Sequence, residues 1–449
     1  MNKEYKEIFE ELVSSYYNDD FDQKVEDIIY TKFNNQEEAK QIIASLCGVD
    51  LIQDNKKFIY NLKKAITNNS VKKNLLHKLE KCNETCTKDG DLPHCIKACP
   101  FDAILVNPID NTKFIDYDAC LSCGECVKVC DSARYIDTVE FMPLLKIIKS
   151  GEKVISIVAP AISGQFGDNV TLDMLREAFV KIGFTDMMEV AFSADILSIK
   201  EAVEFDSHIH SSDDFLITSC CCPMWVGMLK KVYSDLVKDV SPSVSPMIAL
   251  GRVLKKLNPD VKVVFVGPCM AKKAEAKEKD LIGAVDYVLT FEELKSIFNA
   301  LEIKPEEMTG IPSLEYASRG GRLYARSGGV SEAVGEVIQE LYPEKSEFFN
   351  AIQASGVPAC KELLNKLQNR EISATFIEGM GCVGGCVGGP KRLVDINIGK
   401  DSVNKVAYDS PVKVPTHSHL MDEVLARIGI NSLKDFEDTA KMELFEREF

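Results

Sequence analysis

Cysteine is the residue type whose spacing carries most of the chemistry in this chain, which has 16 cysteines among 449 residues. Disulfides are rare in a reducing compartment, so clustered cysteines there favour metal binding or catalysis. The most unusual cluster is TSCCCPMW, in which Cys220, Cys221 and Cys222 precede a proline and the only tryptophan of the chain. Neighbouring side chains of an extended segment point to opposite sides, so the three thiols cannot all face one partner.

Eight further cysteines, between residues 82 and 130, form two sets of four. The set CLSCGECVKVC has the C-x2-C-x2-C-x3-C spacing that places three thiolates on one [4Fe-4S] cluster and sends the fourth to a second cluster. The set CNETCTKDGDLPHCIKACP is looser but keeps the final Cys-Pro pair. This crossing assigns Cys82, Cys86, Cys95 and Cys130 to one cluster, and Cys99, Cys120, Cys123 and Cys126 to the other. Paired zinc sites are the alternative, but zinc favours two C-x2-C pairs with histidines, and His94 is the only histidine in this segment.

The chain divides into three predicted domains. Residues 1–78 alternate apolar and charged positions at helical spacing, which predicts a small helical N-terminal domain. Residues 79–140 predict a two-[4Fe-4S] ferredoxin-like domain, with FDAILVNP and KFIDYDA as its short strands. From residue 141 to 449, apolar runs such as VISIVAP alternate with amphipathic segments, which predicts an α/β catalytic domain whose parallel sheets are covered by helices.

Cysteines directly follow three of the predicted strands, FLITS, VKVVFVGP and ATFIEGMG. In α/β proteins, the loops at the carboxyl ends of the strands meet where ligands bind. We therefore expect Cys222 or a neighbour, Cys269, Cys382 and Cys386 to gather at a third metal site, where soft thiolates favour iron–sulfur or zinc. Two clusters leading to a buried metal centre are the arrangement of a redox enzyme.

Composition limits the partners of this site. The formal charge of −16 opposes binding to nucleic-acid phosphates. The first residues, MNKEYKEIFEELV, lack the apolar core of a signal peptide, and no apolar run is long enough to span a membrane. We expect a cytoplasmic protein with no nucleic-acid and no membrane partner.

Three segments carry a resemblance to a known family: TSCCCPMW (218–225), GPCMAKKAE (267–275) and EGMGCVGGCVGG (378–389). In this order they resemble TSCCPxW, MPCxxKxxE and ExMxCxxxCxxGG, the signatures of the iron-only, or [FeFe], hydrogenases. The extra cysteine of the first segment is similar to that of the group B clostridial type. The resemblance covers roughly residues 80 to 449. It implies reversible conversion of 2H⁺ and 2e⁻ to H₂ in a two-lobed catalytic domain.

The resemblance also implies a cofactor, the H-cluster. This is a [4Fe-4S] cubane joined through one cysteine sulfur to a two-iron unit that carries CO, cyanide and an azadithiolate. By position, its ligands are Cys222, Cys269, Cys382 and Cys386, and Cys386 bridges to the two-iron unit. Cys221 corresponds to the thiol that passes protons to the amine of the dithiolate. Cys220 stands where the common form has serine, and we expect it to pack without a redox role.

A proton relay is implied by the same resemblance. Glu201 and Glu204, three residues apart on one predicted helix face, match the relay glutamates of the family by their spacing from Cys221. Ser241 stands at the position of the relay serine. The outer relay position, usually arginine, is His208 here, so the surface exit of the relay is not assigned.

Further residues match positions around the two-iron unit. Lys272 matches a lysine that donates to a cyanide ligand, for which a buried ammonium is a strong partner. Met380 matches a methionine beside the bridging carbonyl, and Glu275 orients the second motif. Pro160 matches a loop that offers a backbone N–H to a cyanide, and Tyr324 stands where phenylalanine usually lines the pocket.

One departure from the family concerns the start of the second motif. Gly267 precedes Pro268 and Cys269 where the family usually has methionine. Loss of a thioether beside the two-iron unit changes local polarity and the room for water, so we expect altered redox potentials. The predicted result is a catalytic balance that favours H₂ oxidation.

The implied partners are a ferredoxin or flavodoxin electron carrier and the maturation proteins that insert the two-iron unit. Two alternatives remain open. A sensory hydrogenase often carries an added signalling domain or lacks the relay cysteine. A non-catalytic iron–sulfur assembly relative would not need Cys221, Lys272, Met380 or the two glutamates, all of which are present.

Overall fold

The computed structural model describes residues 1, 3–49, 57–68, 75–79, 86, 92–130, 132–218, 220–313 and 317–449. Its N-terminal part consists of helices that each bury one face, because their apolar residues recur every three or four positions. These helices are α1 Lys3–Tyr17, α2 Phe21–Thr31, α3 Gln36–Leu46 and α4 Phe58–Asn68. The Phe9 ring packs edge-on against Phe141, with ring centroids 6.5 Å apart. The helical region therefore shares a core with the part that follows.

Short elements carry the early cysteines. They are β1 Leu76–Lys78, α5 His94–Ala98, β2 Ile104–Val106, β3 Lys113–Ile115, α6 Glu125–Lys128 and β4 Tyr135–Asp137. Strands β2 and β3 form an antiparallel hairpin, and β1 pairs antiparallel with β4. The second pairing joins residues on the two sides of the predicted boundary at residue 78.

Two parallel sheets form the remaining part. Their strands are β5 Val154–Val158, β6 Asp186–Glu189, β7 Leu216–Ile217, β8 Lys262–Gly267, β9 Tyr287–Thr290, β10 Ala351–Ser355 and β11 Phe376–Met380. The larger sheet has the order β6-β5-β8-β9, and the smaller has the order β10-β11-β7. All pairings within these two sheets are parallel. Strands β5, β8 and β11 are almost wholly buried, as parallel strands covered on both faces must be.

Helices cover both sheets and complete the predicted α/β architecture, which is confirmed. They are α7 Phe141–Lys149, α8 Leu172–Ile182, α9 Ala191–His208, α10 Pro223–Lys231, α11 Pro246–Leu257, α12 Ala271–Glu275, α13 Phe291–Ala300, α14 Arg319–Leu323, α15 Gly329–Leu341, α16 Val357–Gln368, α17 Ile396–Tyr408, α18 His419–Ile428 and α19 Thr439–Met442.

Two features of these helices position the site. Helix α9 is buried over most of its length, so its polar side chains lie inside the protein. Helix α10 begins with Pro223, whose fixed φ suits the first helical position. The residue before a proline is held extended, and Cys222 accordingly has φ −104° and ψ 106°. Cys222 therefore ends its loop in a defined direction.

Candidate metal centre and proton relay

Cysteines leave the carboxyl ends of strands from both sheets. Strand β7 ends at Ile217 and leads to Cys222, and its neighbour β11 ends at Met380 and leads to Cys382 and Cys386. Strand β8, in the larger sheet, ends at Gly267 and leads to Cys269. The predicted convergence thus takes place between two sheets rather than along the edge of one.

Glycines let the first and third cysteine loops touch. A Cβ atom on Gly379 would lie 2.2 Å from the Trp225 ring, and one on Gly381 would lie 2.6 Å from Cβ of Met224. The backbone N–H of Gly381 donates a hydrogen bond to Sγ of Cys222, with N and S 3.2 Å apart. A larger residue at either glycine would push these loops apart.

The second cysteine loop touches the third in the same way. A Cβ atom on Gly389 would lie 2.7 Å from the carbonyl oxygen of Pro268. The same carbonyl accepts a hydrogen bond from the backbone N–H of Lys391 at 3.0 Å. Cys222, Cys269 and Cys382 border one apolar cluster that includes the buried Trp225 ring. The structure therefore brings the three cysteine loops together.

The pKa shifts of three predicted ligands, Cys269, Cys386 and Cys382, show that these thiols lie in the same neighbourhood. Burial, followed by the charge of nearby Cys222, raises the pKa of Cys269 to about 11. Burial, followed by Cys222 and Cys269, raises the pKa of Cys386 to about 12. Burial and the same neighbours raise the pKa of Cys382 well above its ordinary value. Each of the four predicted ligands is a partly buried residue.

Cys221 and Cys220 face different surroundings. Burial, followed by the charges of Cys386 and Cys222, raises the pKa of Cys221 well above its ordinary value. The Cys220 thiol is buried and donates to the backbone carbonyl of Ser241, with S and O 3.0 Å apart. Cys221 thus faces the gathered thiols, whereas Cys220 packs against the segment that carries Ser241.

A buried ion pair lies beside these thiols. Nζ of Lys272 is 2.5 Å from Oε2 of Glu275, and the two side chains are 8% and 1% exposed. Burial lowers the pKa of Lys272, but the Glu275 carboxylate, Cys221 and Cys269 outweigh it and raise the pKa above its ordinary value. The Lys272 ammonium group is therefore held among thiols.

Two predicted relay residues are hydrogen bonded to each other. Oγ of Ser241 donates to Oε2 of Glu204 at 2.6 Å. Glu201 accepts a hydrogen bond from the Thr218 hydroxyl. Burial raises the pKa of Glu201 to about 8, and the Glu204 charge adds to the increase. Glu201 is 3% exposed, and it contacts the segment that leads into the first cysteine loop at Thr218 and senses the charge of Glu204.

His208 is placed differently from the other predicted relay positions. Its ring is exposed. Its Nδ1 lies 2.9 Å from the Ser207 hydroxyl and 2.9 Å from the backbone carbonyl of Glu204. The ring therefore contacts the backbone of Glu204 rather than its carboxylate.

The structure places three further predicted residues as follows. The Tyr324 hydroxyl lies 3.1 Å from the Ser198 hydroxyl. Burial and the charges of Glu201 and Cys221 raise the pKa of Tyr324, so the phenol lies close to both groups. Met380 is buried at the end of β11. Pro160 starts the short 3₁₀ turn after β5.

The structure explains what occupies the space beside Gly267. A Cβ atom there would lie 2.6 Å from Cε1 and Cζ of Phe265 and 3.4 Å from Cβ of Ala159. Phe265 is 3% exposed. The Phe265 ring therefore fills the space that a methionine side chain would enter, if this position held the methionine that is usual in the family that the sequence resembles.

The early cysteines are partly described. Burial is the main cause of a raised pKa for Cys120, Cys123 and Cys126, and the charge of Cys99 contributes to each. The structure thus brings this set of four together. Cys95 and Cys130 both contribute to the raised pKa of Tyr135, after burial. Cys82 lies outside the described residues, and Cys86 is half-buried.

Backbone N–H groups point at some of these sulfurs. Ala103 donates to Sγ of Cys99 at 3.2 Å, and Arg134 donates to Sγ of Cys130 at 3.2 Å. Hydrogen bonds to sulfur are one means by which a protein adjusts the potential of an iron–sulfur cluster. Within the described ranges, no three His, Cys, Asp or Glu side chains lie close enough together to hold a single metal ion. A cubane has a different requirement, because its thiolates bind different irons.

Sequence reasoning missed several polar residues of the site. Lys200 is 1% exposed and pairs with Glu204, although a lysine on an amphipathic helix is ordinarily expected in solvent. Its second partner, Glu446, is distant in sequence. Only the lack of a polar face on α9 could have indicated that Lys200 is buried.

Comparison with known proteins identifies the family. A sequence model described as the iron only hydrogenase large subunit, C-terminal domain, matches residues 152–390. The chain belongs to the iron-only hydrogenase family. Iron hydrogenase 1 of Clostridium pasteurianum is 27% identical over 301 residues, which cover 55% of this chain and 52% of the relative. A homolog of a cytosolic Fe-S cluster assembly factor from Schizosaccharomyces japonicus is 24% identical over 232 residues, which cover 43% of this chain and 45% of the relative.

A solved structure of this hydrogenase family has the same fold. An apo [FeFe]-hydrogenase from Chlamydomonas reinhardtii superposes with a TM-score of 0.55 at 20% identity, covering 66% of this chain and 94% of that one. At that identity, the likeness establishes the fold. The chain spans about half the length of the first curated relatives that it matches. None of the described helices is both long enough and apolar enough to cross a membrane.

Proposed function

We propose that this member of the iron-only hydrogenase family is a hydrogenase, which interconverts two protons and two electrons with H₂. One observation carries the proposal. The loops bearing Cys222, Cys269 and Cys386 meet between two sheets, with Cys221 and Lys272 at the same place. Family membership alone does not separate an enzyme from an assembly factor, so the local chemistry must do so.

The residues present fit an H-cluster. Four thiols converge, and burial raises the pKa values of Cys269, Cys382 and Cys386. Such a group is stabilised by metal, which replaces the thiol protons. Cys222, Cys269, Cys382 and Cys386 would hold the cubane, with Cys386 bridging to the two-iron unit. When bound, the H-cluster supplies the redox-active irons at which protons and electrons combine.

Lys272 and Cys221 are the proposed polar groups of the reaction. The ammonium of Lys272 is fixed by Glu275, so it can donate to an anionic cyanide ligand without reorganising during the reaction. The Cys221 thiol can both donate and accept a proton. It faces the gathered thiols, which suits the last step of a proton relay. Gly267, Pro268, Met380, Pro160 and Tyr324 are proposed to shape the remaining wall.

Glu201 and the Ser241–Glu204 pair are proposed to carry protons towards Cys221. A carboxyl group that transfers protons near neutral pH works best when its pKa is near that pH. Burial raises the pKa of Glu201 to about 8, so its carboxyl group holds a proton at pH 7 and releases it with little change in pH. The hydroxyl of Ser241 already donates to Glu204.

Electrons are proposed to arrive through two [4Fe-4S] clusters in a ferredoxin-like domain at residues 79–140. Cys99, Cys120, Cys123 and Cys126 would hold one, and Cys82, Cys86, Cys95 and Cys130 the other. Cys123 borders the same apolar cluster as Cys222, Cys269 and Cys382.

The domain assignment and partners belong to the same proposal. Residues 1–78 would form a helical domain, and residues 141–449 the catalytic domain. A ferredoxin or flavodoxin would exchange electrons with the clusters. Maturation proteins would insert the two-iron unit in the cytoplasm.

Infrared spectroscopy of the chain produced anaerobically with the maturation proteins tests the proposal. We expect bands from iron-bound CO and cyanide, together with H₂ production from a reduced dye. Clusters without these bands and without H₂ turnover would contradict the proposal and favour the assembly-factor class. Bands with very slow turnover would instead favour a sensory hydrogenase.

A further inference from the structure

The buried relay continues past the residues assigned above. Helix α9 carries Lys200, whose side chain is 1% exposed. Its Nζ forms an ion pair with Glu204, lies 3.3 Å from the Ser243 hydroxyl and lies 3.2 Å from Oε1 of Glu446. The Lys200 ammonium group therefore connects the Glu204 carboxylate to the Ser243 hydroxyl and the Glu446 carboxylate.

Ser241 and Ser243 provide a second hydrogen-bonded path between Lys200 and Glu204. The hydroxyl oxygens of Ser241 and Ser243 are 2.8 Å apart, and both side chains are buried. Each hydroxyl has one hydrogen. When Ser241 donates to Glu204, Ser243 donates to Ser241 and Lys200 donates to Ser243. Lys200 thus reaches the Glu204 carboxylate both directly and through two hydroxyls.

A strap, defined here as residues 443–447, brings Glu446 to this position. Ser243 and Glu446 form an antiparallel bridge. The backbone N–H of Val244 donates to the carbonyl of Phe445 at 2.7 Å. The Arg252 guanidinium donates to the carbonyls of Glu443 at 3.0 Å and Glu446 at 2.8 Å. The location of Glu446 is therefore fixed by its backbone.

Exposure changes stepwise along this path. Lys200 is 1% exposed, Glu204 is 13% exposed and Glu446 is 30% exposed. Glu446 is thus the member that meets solvent. His208 is also exposed, but it contacts the backbone carbonyl of Glu204 and not its carboxylate.

We propose, on the basis of the hydrogenase function argued above, that protons enter and leave the relay through Glu446 and Lys200 rather than through His208. For inward transfer, the O–H bond of a protonated Glu446 breaks and an N–H bond forms on Lys200. At the same time another N–H bond of Lys200 breaks and an O–H bond forms on Glu204. Lysine begins and ends as ammonium, and one proton has moved from Glu446 to Glu204.

The surroundings of Lys200 keep its side chain protonated, as this transfer requires. Burial lowers its pKa, but the carboxylates of Glu204 and Glu446 outweigh burial and raise it above the ordinary value. Lys200 is therefore an ammonium before and after each transfer. The other titratable neighbours that sense its charge are Glu201 on the same helix and Cys220 on the first cysteine loop.

Glu446→Gln in the matured full-length chain is the test. We expect H₂ turnover to fall at least tenfold, with a larger solvent deuterium isotope effect, because glutamine cannot release a proton. The control is Glu448→Gln, which changes an exposed carboxylate next to the strap and should leave turnover unchanged. His208→Ala tests the competing exit. A loss as large as that of Glu446→Gln would overturn the proposal, and so would unchanged turnover in Glu446→Gln.

A second measurement does not depend on turnover. In the chain carrying only its cubanes, Lys200→Met should shift the carboxylate infrared bands that Glu204→Gln removes, because the Glu204 carboxylate loses its ammonium partner. Unchanged positions of those bands would overturn the proposed contact. If the unmodified matured chain showed no H₂ turnover, the proposed function would fail and this proposal with it. If the unmodified chain turned over H₂ and the Glu446 and Lys200 variants behaved in the same way as the unmodified chain, this proposal alone would fail.

Discussion

Replacing Lys272 by methionine tests whether its ammonium serves chemistry or only pairs with Glu275. The change leaves the Glu275 carboxylate, 1% exposed, without its cation. Removing one partner of a buried ion pair costs about 3–5 kcal/mol of unfolding free energy. If the ammonium also donates to a cyanide ligand, H₂ turnover should fall on the order of a hundredfold, the usual effect of losing one such donor.

The adjacent lysine offers a matched control. Nζ of Lys273 is 2.5 Å from Oε1 of Glu293, and both side chains are 0% exposed. Lys273→Met should destabilise the protein as much as Lys272→Met does, but it should leave the cyanide infrared bands in place. Denaturant unfolding of the cubane-loaded chain gives the stability, and infrared spectra of the matured chain give the bands.

The double variant Lys272→Met with Glu275→Leu separates the two roles. Replacing both partners of a buried pair by apolar residues is often neutral for stability, so most of the lost free energy should return. The shifted cyanide bands and the low turnover should persist. A double variant with normal bands and normal turnover would refute the assigned role and leave Lys272 as a structural ion pair.

Three more changes test separate parts of the site. Because burial holds the pKa of Glu201 near 8, above its unfolded value of about 4.3, stability should fall by about 1 kcal/mol per pH unit as pH rises through that window. Glu201→Gln should remove this slope in melts at graded pH, and parallel curves would contradict the shift. Gly267→Ala should lower the free energy of unfolding by about 1–3 kcal/mol, because the added methyl group overpacks against Phe265. Adding Phe265→Leu should restore that stability. Equal melting temperatures for Gly267→Ala and the parent would show that the ring moves freely. Cys222→Ser should lower the iron content by about four atoms per chain while Cys220→Ser does not, and equal iron loss in both would undo the assignment of Cys222.

The catalytic bias can be tested with the same glycine. Since the Phe265 ring occupies the space beside Gly267, methionine fits there only if the ring becomes smaller. Gly267→Met combined with Phe265→Leu should shift protein-film currents towards H₂ evolution. Unchanged currents in this double variant would show that the missing thioether does not set the balance.

Strands that are continuous apolar runs were predictable from the sequence. The runs VISIVAP and VKVVFVGP contain β5 and β8, because a parallel strand buried on both faces needs apolar residues throughout. Strand β6, DMME, and strand β10, AIQAS, were missed. Both are short and mix polar with apolar residues, so only their pairing with β5 and β11 identifies them.

The gathering of the cysteine loops was predictable because each loop follows a strand, and strand ends mark ligand sites in α/β proteins. The arrangement between two sheets was not, since sequence order does not say which strands share a sheet. Contacts of Lys200 with Glu446 were also beyond sequence reasoning. Lys200 and Glu446 lie 246 positions apart in the sequence, and the backbone bridge between Ser243 and Glu446 brings them together.

Diffraction at the iron absorption edge from crystals of the matured chain is the most direct test of the central claim. Sγ of Cys222, Cys269, Cys382 and Cys386 should each lie within bonding distance of a different iron of one cube, with two more irons beside Cys386. Zinc at these thiols, or Cys386 bound to a metal that Cys269 does not share, would contradict the account.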